Sequence, residues 1–238
     1  MSEQHALVER FSRRGHRAAR TPITVVVANR KGGVGKTLTT IYTSRWLARL
    51  GRRVTIHDLD PQRGVWDFAE ALGRPDGRVL KHLAVVEPGV PPPFAPDYVL
   101  VDTPPALDIS LPAMNRADWL LIPVIPDHQP VVQLAKFLEA LEETRRERPV
   151  TRILGVLPVN VRRWPEHQTM LRHVEQIAAE HDVPVLAPVP NSRAVLRYSL
   201  AGGLWRQVAE ALIDQEAVHT PSRRVEAPRS ASRELVYV

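Results

Sequence analysis

Apolar residues along the 238-residue chain fall into two alternating rhythms. Short, β-branched runs are each followed by a longer segment whose apolar positions recur at helical spacing. Ile23–Ala28 is the first run, and Thr37–Leu50 is the first helical segment, closed by Gly51 as a helix C-terminal glycine. Arg53–His57 predicts a second strand, Val65–Leu72 a short helix and His82–Val86 a weaker strand. Prolines 88, 91–93 and 96 then impose an extended loop. Tyr98–Val101 and Trp119–Ile125 are apolar enough to be strands buried on both faces. Val131–Arg146 reads as an amphipathic helix, with Val132, Leu134, Ala135, Leu138 and Leu141 toward one face. Ile153–Leu157 predicts a strand, Glu166–His181 a helix and Val183–Ala187 the last strand, before helical pieces over Arg193–Leu200 and Leu204–Asp214.

Strands alternating with helices, each strand nearly all apolar, predict an α/β fold: a single domain with a mostly parallel twisted sheet and helices on both faces. The domain is expected over residues 22–215. Residues 1–21 form a basic extension, and residues 216–238, broken by Pro221 and Pro228, are expected to be a disordered tail. The absence of cysteine removes disulfides, thiolate zinc sites, iron–sulfur clusters and a cysteine nucleophile. No apolar run reaches the ~20 residues of a membrane-spanning helix. The N-terminal arginines have no apolar stretch behind them, so a secretory signal is not expected and a cytoplasmic location is.

The chemistry concentrates after the first strand. Asn29-Arg-Lys-Gly-Gly-Val-Gly-Lys-Thr37 sits at a strand-to-helix junction, where backbone N–H groups and the positive helix end favour phosphate. Lys36 can reach the β- and γ-phosphates and the Thr37 hydroxyl can ligate Mg²⁺. The common eight-residue phosphate-loop pattern requires glycine where Arg30 stands, so that pattern fails, and an additional lysine, Lys31, opens the loop. A nucleoside triphosphatase also needs acidic groups at neighbouring strand ends. His57-Asp-Leu-Asp-Pro-Gln62 and Asp102-Thr-Pro-Pro105 supply them. A strand-end aspartate alone often only caps the next helix, but three beside one phosphate loop favour chemistry.

With KGGVGKT, DLDPQ and DTPP together, the sequence resembles the deviant Walker A ATPases of the ParA/MinD superfamily, and the ParA-type partition ATPases in particular. The resemblance spans roughly residues 22–214 and implies a P-loop NTPase-like fold using ATP and Mg²⁺. It assigns Lys31, Gly32, Gly33, Val34, Gly35, Lys36, Thr37 and Leu38 to the nucleotide, with Lys31 reaching a partner subunit's phosphates. Asp60 would orient the attacking water, while Asp58 and Asp102 join Thr37 around the metal. Asn160 falls where relatives place a polar residue against adenine, and Val189-Pro-Asn-Ser192 resembles the family's base-contacting turn, which puts Pro190 there too. Asn191 stands where arginine is common, and ordinary turn chemistry accounts for both positions nearly as well.

Missing cysteines exclude the iron–sulfur relatives, and the proline-broken tail lacks the apolar face with which MinD-like proteins attach to membranes. The DTPP form favours the ParA branch, and the few residues before the phosphate loop make the resemblance one to the short ParA type, expected to be without an N-terminal DNA-binding domain. It implies an ATP-dependent homodimer, non-specific DNA binding on the nucleoid and a ParB-like centromere-binding partner, with slow, partner-stimulated hydrolysis driving plasmid or chromosome partition. The alternatives are a positioning scaffold for a protein or organelle cargo, or a MinD-like membrane-associated ATPase. Lys+Arg 32 against Asp+Glu 26 gives a net charge of +6, which permits a polyanionic partner without requiring one. Candidate DNA contacts are Arg145, Arg146, Arg148 and Arg152, then Arg162 and Arg163, with Arg193 and Arg197 further on. A solvated helix face explains such runs equally well.

Overall fold

The computed structural model describes residues 21–74, 76–77, 79–147, 151–192 and 203–216. Among these, six strands form one sheet: β1 (Ile23–Val27), β2 (Val54–Asp58), β3 (Leu83–Val86), β4 (Tyr98–Asp102), β5 (Trp119–Val124) and β6 (Arg152–Pro158). Their order is β3-β2-β4-β1-β5-β6, and every pairing is parallel. The helices among the described residues are α1 (Lys36–Arg49), α2 (Gly64–Ala71), α3 (Leu107–Met114), α4 (His128–Glu147), α5 (Pro165–Glu180) and α6 (Arg206–Gln215).

Strand alternation sorts the core into two layers. Val25 and Val27 of β1 join Leu100, Leu121 and the buried faces of α1, α2 and α6. Val26 faces the other way, with Leu120, Ile122, Val156 and the residues of α4 and α5. The chain thus forms the three-layer α/β sandwich that its apolar rhythm predicts. The register matters more for function. Val27 pairs with Asp102, and Asp102 pairs with Asp58, so three strand ends lie side by side at the C-terminal edge. The chain leaves β1 toward β2 on one side and leaves β4 toward β5 on the other, so its direction reverses between these two neighbouring strands, the place where open α/β sheets take ligands.

Several local expectations are corrected. Val183–Ala187 is not a strand; it contributes a single parallel bridge, Val156↔Val185. Pro184 and Pro188 lack the N–H groups a ladder needs. Helix α3 escapes sequence reading because Pro112 lies inside it, a residue that ordinarily argues against helix. On α4 the buried stripe is Val131, Leu134, Leu138 and Leu141, whereas Val132 is exposed. Glu216, placed by composition at the head of the tail, is buried; Arg52 Nε donates to its Oε1 at 2.7 Å and Tyr98 Oη donates to the same oxygen at 2.6 Å. Pro123 is tolerated in the interior strand β5 because its carbonyl faces the β1 side beyond the end of that strand, accepting from Asn29 Nδ2 at 2.9 Å. The expected helix Arg193–Leu200, the rest of the N-terminal extension before Thr21 and the tail after Glu216 lie outside the described residues.

Candidate functional site

The loop between β1 and α1 is built from the sheet outward. Asn29 is buried, with its amide held by Pro123; its Oδ1 accepts the Lys31 N–H at 2.9 Å. This turns the chain outward, and Arg30, Lys31, Gly32 and Gly33 are exposed. Val34 then returns to the core, so it offers a ligand only its backbone. Gly35, at φ 84°, forms the α1 N-cap in the left-handed region, and a Cβ there would sit 3.2 Å from Val159 Cγ2. Leu38 packs against the core with its side chain half-buried.

Three polar residues of α1 face the strand ends. Thr37 Oγ1 donates to Asp102 Oδ2 at 2.7 Å. Thr40, one turn on, places its hydroxyl 3.2 Å from Asp102 Oδ1 and 3.1 Å from the Lys36 carbonyl. The Lys36 stem is buried and its Nζ donates to the Lys31 carbonyl at 3.2 Å, so the ammonium lies across the mouth of the loop. Burial lowers the Lys36 pKa, against the pull of Asp102 and Asp60. Asp102 is 0% exposed, and desolvation pushes its carboxyl up to about 7, helped by the neighbouring Asp58 and opposed by the Thr37 and Thr40 hydrogen bonds and Lys36.

Asp58 ends β2 and Asp60 lies on the β2–α2 turn. Asp58 accepts the Val65 N–H at 3.0 Å and the Asp60 N–H at 3.1 Å, and burial raises its pKa too. Asp60 is half-buried, accepts the Gln62 N–H at 2.9 Å and receives the Arg63 N–H on its carbonyl. Gly64 lies so close to the phosphate loop that a Cβ would meet Thr37 Cγ2 at 3.0 Å. The predicted loop and all three predicted aspartates therefore converge.

The donor set fits a hard divalent cation. Thr37 gives its proton to Asp102, which leaves its oxygen lone pairs available, and the two carboxyls held up by burial would ionise readily beside positive charge. Among the described residues no three His, Asp or Glu side chains form a protein-only metal cage. That suits Mg²⁺, which takes few protein oxygens and completes its shell with water and phosphate.

Asn160 and Pro190 are also brought together. Val161 and Pro190 form a parallel bridge, Asn191 N–H donates to the Val161 carbonyl at 2.8 Å, and Asn191 Nδ2 donates to Asn160 Oδ1. This corner adjoins the phosphate loop through Val159 and Gly35. The arginines are not brought together. Arg145 and Arg146, in the last turn of α4, lie with the exposed Arg152 at the N-terminal edge of the strands, while Arg162 and Arg163 follow the end of β6. Seven strand residues separate these groups by roughly 20 Å. Arg148, Arg193 and Arg197 lie outside the described residues.

Sequence reading missed Asn29, which holds the Lys31 N–H, and Thr40, which bonds Asp102. Thr40 carried a usable signal, since a hydroxyl three residues after Thr37 shares its helix face.

Comparison with known proteins agrees with this geometry. Residues 25–204 match the family described as the CobQ/CobB/MinD/ParA nucleotide binding domain. The chain is 34% identical over 169 residues to the chromosome-partitioning ATPase Soj of Thermus thermophilus, covering 56% of this chain and 67% of that one. It is 30% identical over 204 residues to maintenance of carboxysome distribution protein A of Halothiobacillus neapolitanus, covering 79% and 88%. Among solved structures, cobyrinic acid a,c-diamide synthase from Mycobacterium smegmatis, with bound ATP analog and magnesium, superposes with a TM-score of 0.65. Its identity is 22%, over 83% of this chain and 96% of that one, a likeness of fold. The chain is a ParA-type member of the CobQ/CobB/MinD/ParA nucleotide-binding family.

Proposed function

We propose that this chain is a Mg²⁺-dependent ATPase that dimerises on ATP, binds DNA without sequence preference on the nucleoid, and drives plasmid or chromosome partition with a ParB-like partner. The observation that carries the reading is the Thr37–Asp102 hydrogen bond at the end of a glycine loop that buries Lys36. It is the arrangement a phosphate-bound cation needs, and a structural turn does not. Family membership and the Soj relative support the remainder.

Lys36 and the N–H groups of residues 32–38 bind the β- and γ-phosphates, and the exposed Lys31 extends to the triphosphate of the facing subunit. Thr37 directly, with Asp58 and Asp102 through water, would hold Mg²⁺, which supplies neutralisation of phosphate charge. Asp60, half-buried on the β2–α2 turn, orients the attacking water. Asn160 and Pro190 border the adenine. Pairing two subunits doubles the arginines facing a duplex, so DNA affinity rises with ATP and falls steeply with salt.

A second reading, positioning of a protein or organelle cargo, is favoured by the carboxysome-distribution relative, of which this chain covers 88%. The two readings share the nucleotide chemistry and differ in partner. The deciding experiment sizes the full chain by light scattering with ATP, ADP or neither, and measures duplex retention in parallel. Dimers and retention with ATP alone are expected. Monomers at saturating ATP, unchanged by Lys31→Glu, refute the dimer switch.

A further inference from the structure

We propose that His167 is a positioning residue for the nucleotide base, holding the Asn160–Arg163 turn through a relay that runs from Asp127 to the Arg162 backbone. The inference rests on the nucleotide reading above and adds to it the side chain that fixes the base-binding corner.

The His167 ring is 3% exposed, yet it belongs to the first turn of α5, where side chains ordinarily meet solvent. Its Nδ1 lies 3.1 Å from the Arg162 backbone nitrogen. A peptide N–H can only donate, so Nδ1 accepts and the ring proton sits on Nε2. That nitrogen is 3.1 Å from Asp127 Oδ1, which completes a directed chain from Arg162 N–H through the imidazole to the carboxylate. Trp164 is the N-cap of α5 and His167 its third residue, the position from which a Glu or Gln reaches back in a capping box. Here the ring reaches two residues further, to an N–H that the sheet does not serve. Val159 N–H is taken by the Val124 carbonyl and Val161 N–H by the Val189 carbonyl; the N–H that follows, of Arg162, goes to the imidazole.

The consequence falls on Asn160. It adopts φ 57° and accepts from Asn191, two residues before the anchored Arg162. Anchoring on both sides, by Val159 against Gly35 and by His167 beyond, holds that left-handed residue in a single pose. The Arg162 guanidinium lies 4.3 Å from the Trp164 ring centre and Trp164 meets the imidazole edge-on, so the same corner is closed from outside. Asp127 comes from the loop after β5, so the relay ties the exits of β5 and β6 together.

The test uses the full chain and measures affinity for ATP, GTP and inorganic tripolyphosphate. Wild type is expected to prefer ATP to GTP. His167→Ala should cut that preference about fivefold to tenfold, the loss expected from one hydrogen bond to a desolvated N–H, with tripolyphosphate binding unchanged. His167→Asn, whose Oδ1 stands in for Nδ1, should keep the preference; His167→Gln, which favours the Asp127 side, should not. If His167→Ala does not fold, Asp127→Ala replaces it, since that carboxylate is 60% exposed, and should lower the preference about twofold. An unchanged ATP-to-GTP ratio in these variants overturns the inference while leaving the nucleotide reading intact, as does a wild type that binds both equally. A wild type that binds none of the three overturns both.

Discussion

Replacing Asp102 with asparagine should stabilise the protein in metal-free buffer, and by an amount that grows with pH. The side chain is wholly buried, and its carboxyl is raised from an ordinary 3.8 to about 7, chiefly by desolvation. Between those values the folded protein keeps a proton that the unfolded chain has released. The contribution of Asp102 to stability is therefore greatest below pH 4, falls through the interval and levels off above about 7. At 1.36 kcal/mol per pH unit, the penalty grows by about 3 kcal/mol between pH 5 and pH 8. Asparagine keeps the shape, stays neutral and can still bond the Thr37 and Thr40 hydroxyls. For a domain near 200 residues, 1 kcal/mol shifts Tm by roughly 2–4 °C. The advantage of Asp102→Asn should thus widen by roughly 6–12 °C from pH 5 to pH 8 in thermal melts with EDTA and no nucleotide. Adding Mg²⁺ and ATP should raise the Tm of wild type by more than that of the variant. An offset between the two proteins that is the same at both pH values would show that Asp102 stores no charge, and the cation reading of Thr37 and Asp102 would go with it.

Three further outcomes are expected. Asp60→Ala should form ATP-dependent dimers that turn over at least 100-fold more slowly, by phosphate release, in line with loss of a water-positioning group; wild-type turnover would remove Asp60 from the chemistry. Asn29→Ala frees the Lys31 N–H and empties a buried amide site, so ATP affinity should fall about tenfold and thermal stability should drop with it; unchanged affinity would mean that the loop holds its shape without this residue. Neutralising Arg162 and Arg163 together, and Arg145, Arg146 and Arg152 together, should reduce the salt slope of duplex binding in only one of the two variants, because the two groups lie at opposite ends of β6, roughly 20 Å apart. Equal flattening in both would mean that DNA wraps the protein.

The strands and the phosphate loop were legible because each rests on local rules. Ile23–Val27 is a β-branched run, and KGGVGKT sets glycines where the backbone must bend. The aspartates were legible as strand ends, but their adjacency was not. It depends on β4 lying between β1 and β2, an order set by packing across the whole sheet and invisible to any window of sequence. The same holds for the arginines. Arg152 and Arg162 are ten residues apart in the chain, and the intervening β6 carries them to opposite edges. Val183–Ala187 misled because its apolar pattern is strand-like while Pro184 within it and Pro188 just after it deny the ladder its donors. His167 had no signal at all; its partners, Asp127 and Arg162, come from two separate loops.

A switch driven by nucleotide needs a part that moves and a part that does not, and β4 shows how the second is made. At one end Tyr98 Oη donates to Glu216, which also receives Arg52 and so anchors the end of α6 to the sheet. At the other end Asp102 receives Thr37 and Thr40 of α1. The two helices are joined to each other by Trp205, which stacks on Tyr42 at 4.6 Å and points its indole N–H at the Thr39 hydroxyl, 3.3 Å away. Strand, α1 and α6 thus form a closed frame of buried contacts, in which shifting one member breaks bonds at two others. Residues 30–33 and the turn from Asp60 to Arg63 stand outside that frame, exposed except for the half-buried Asp60, and held by Asx contacts from Asn29, Asp58 and Asp60, by Lys36 on the Lys31 carbonyl and by the Arg63–Glu87 ion pair. A response to a γ-phosphate would meet least resistance in these two segments, and on the proposed reading they carry Lys31 and Asp60, the residues that a facing subunit and an attacking water would need to find in place.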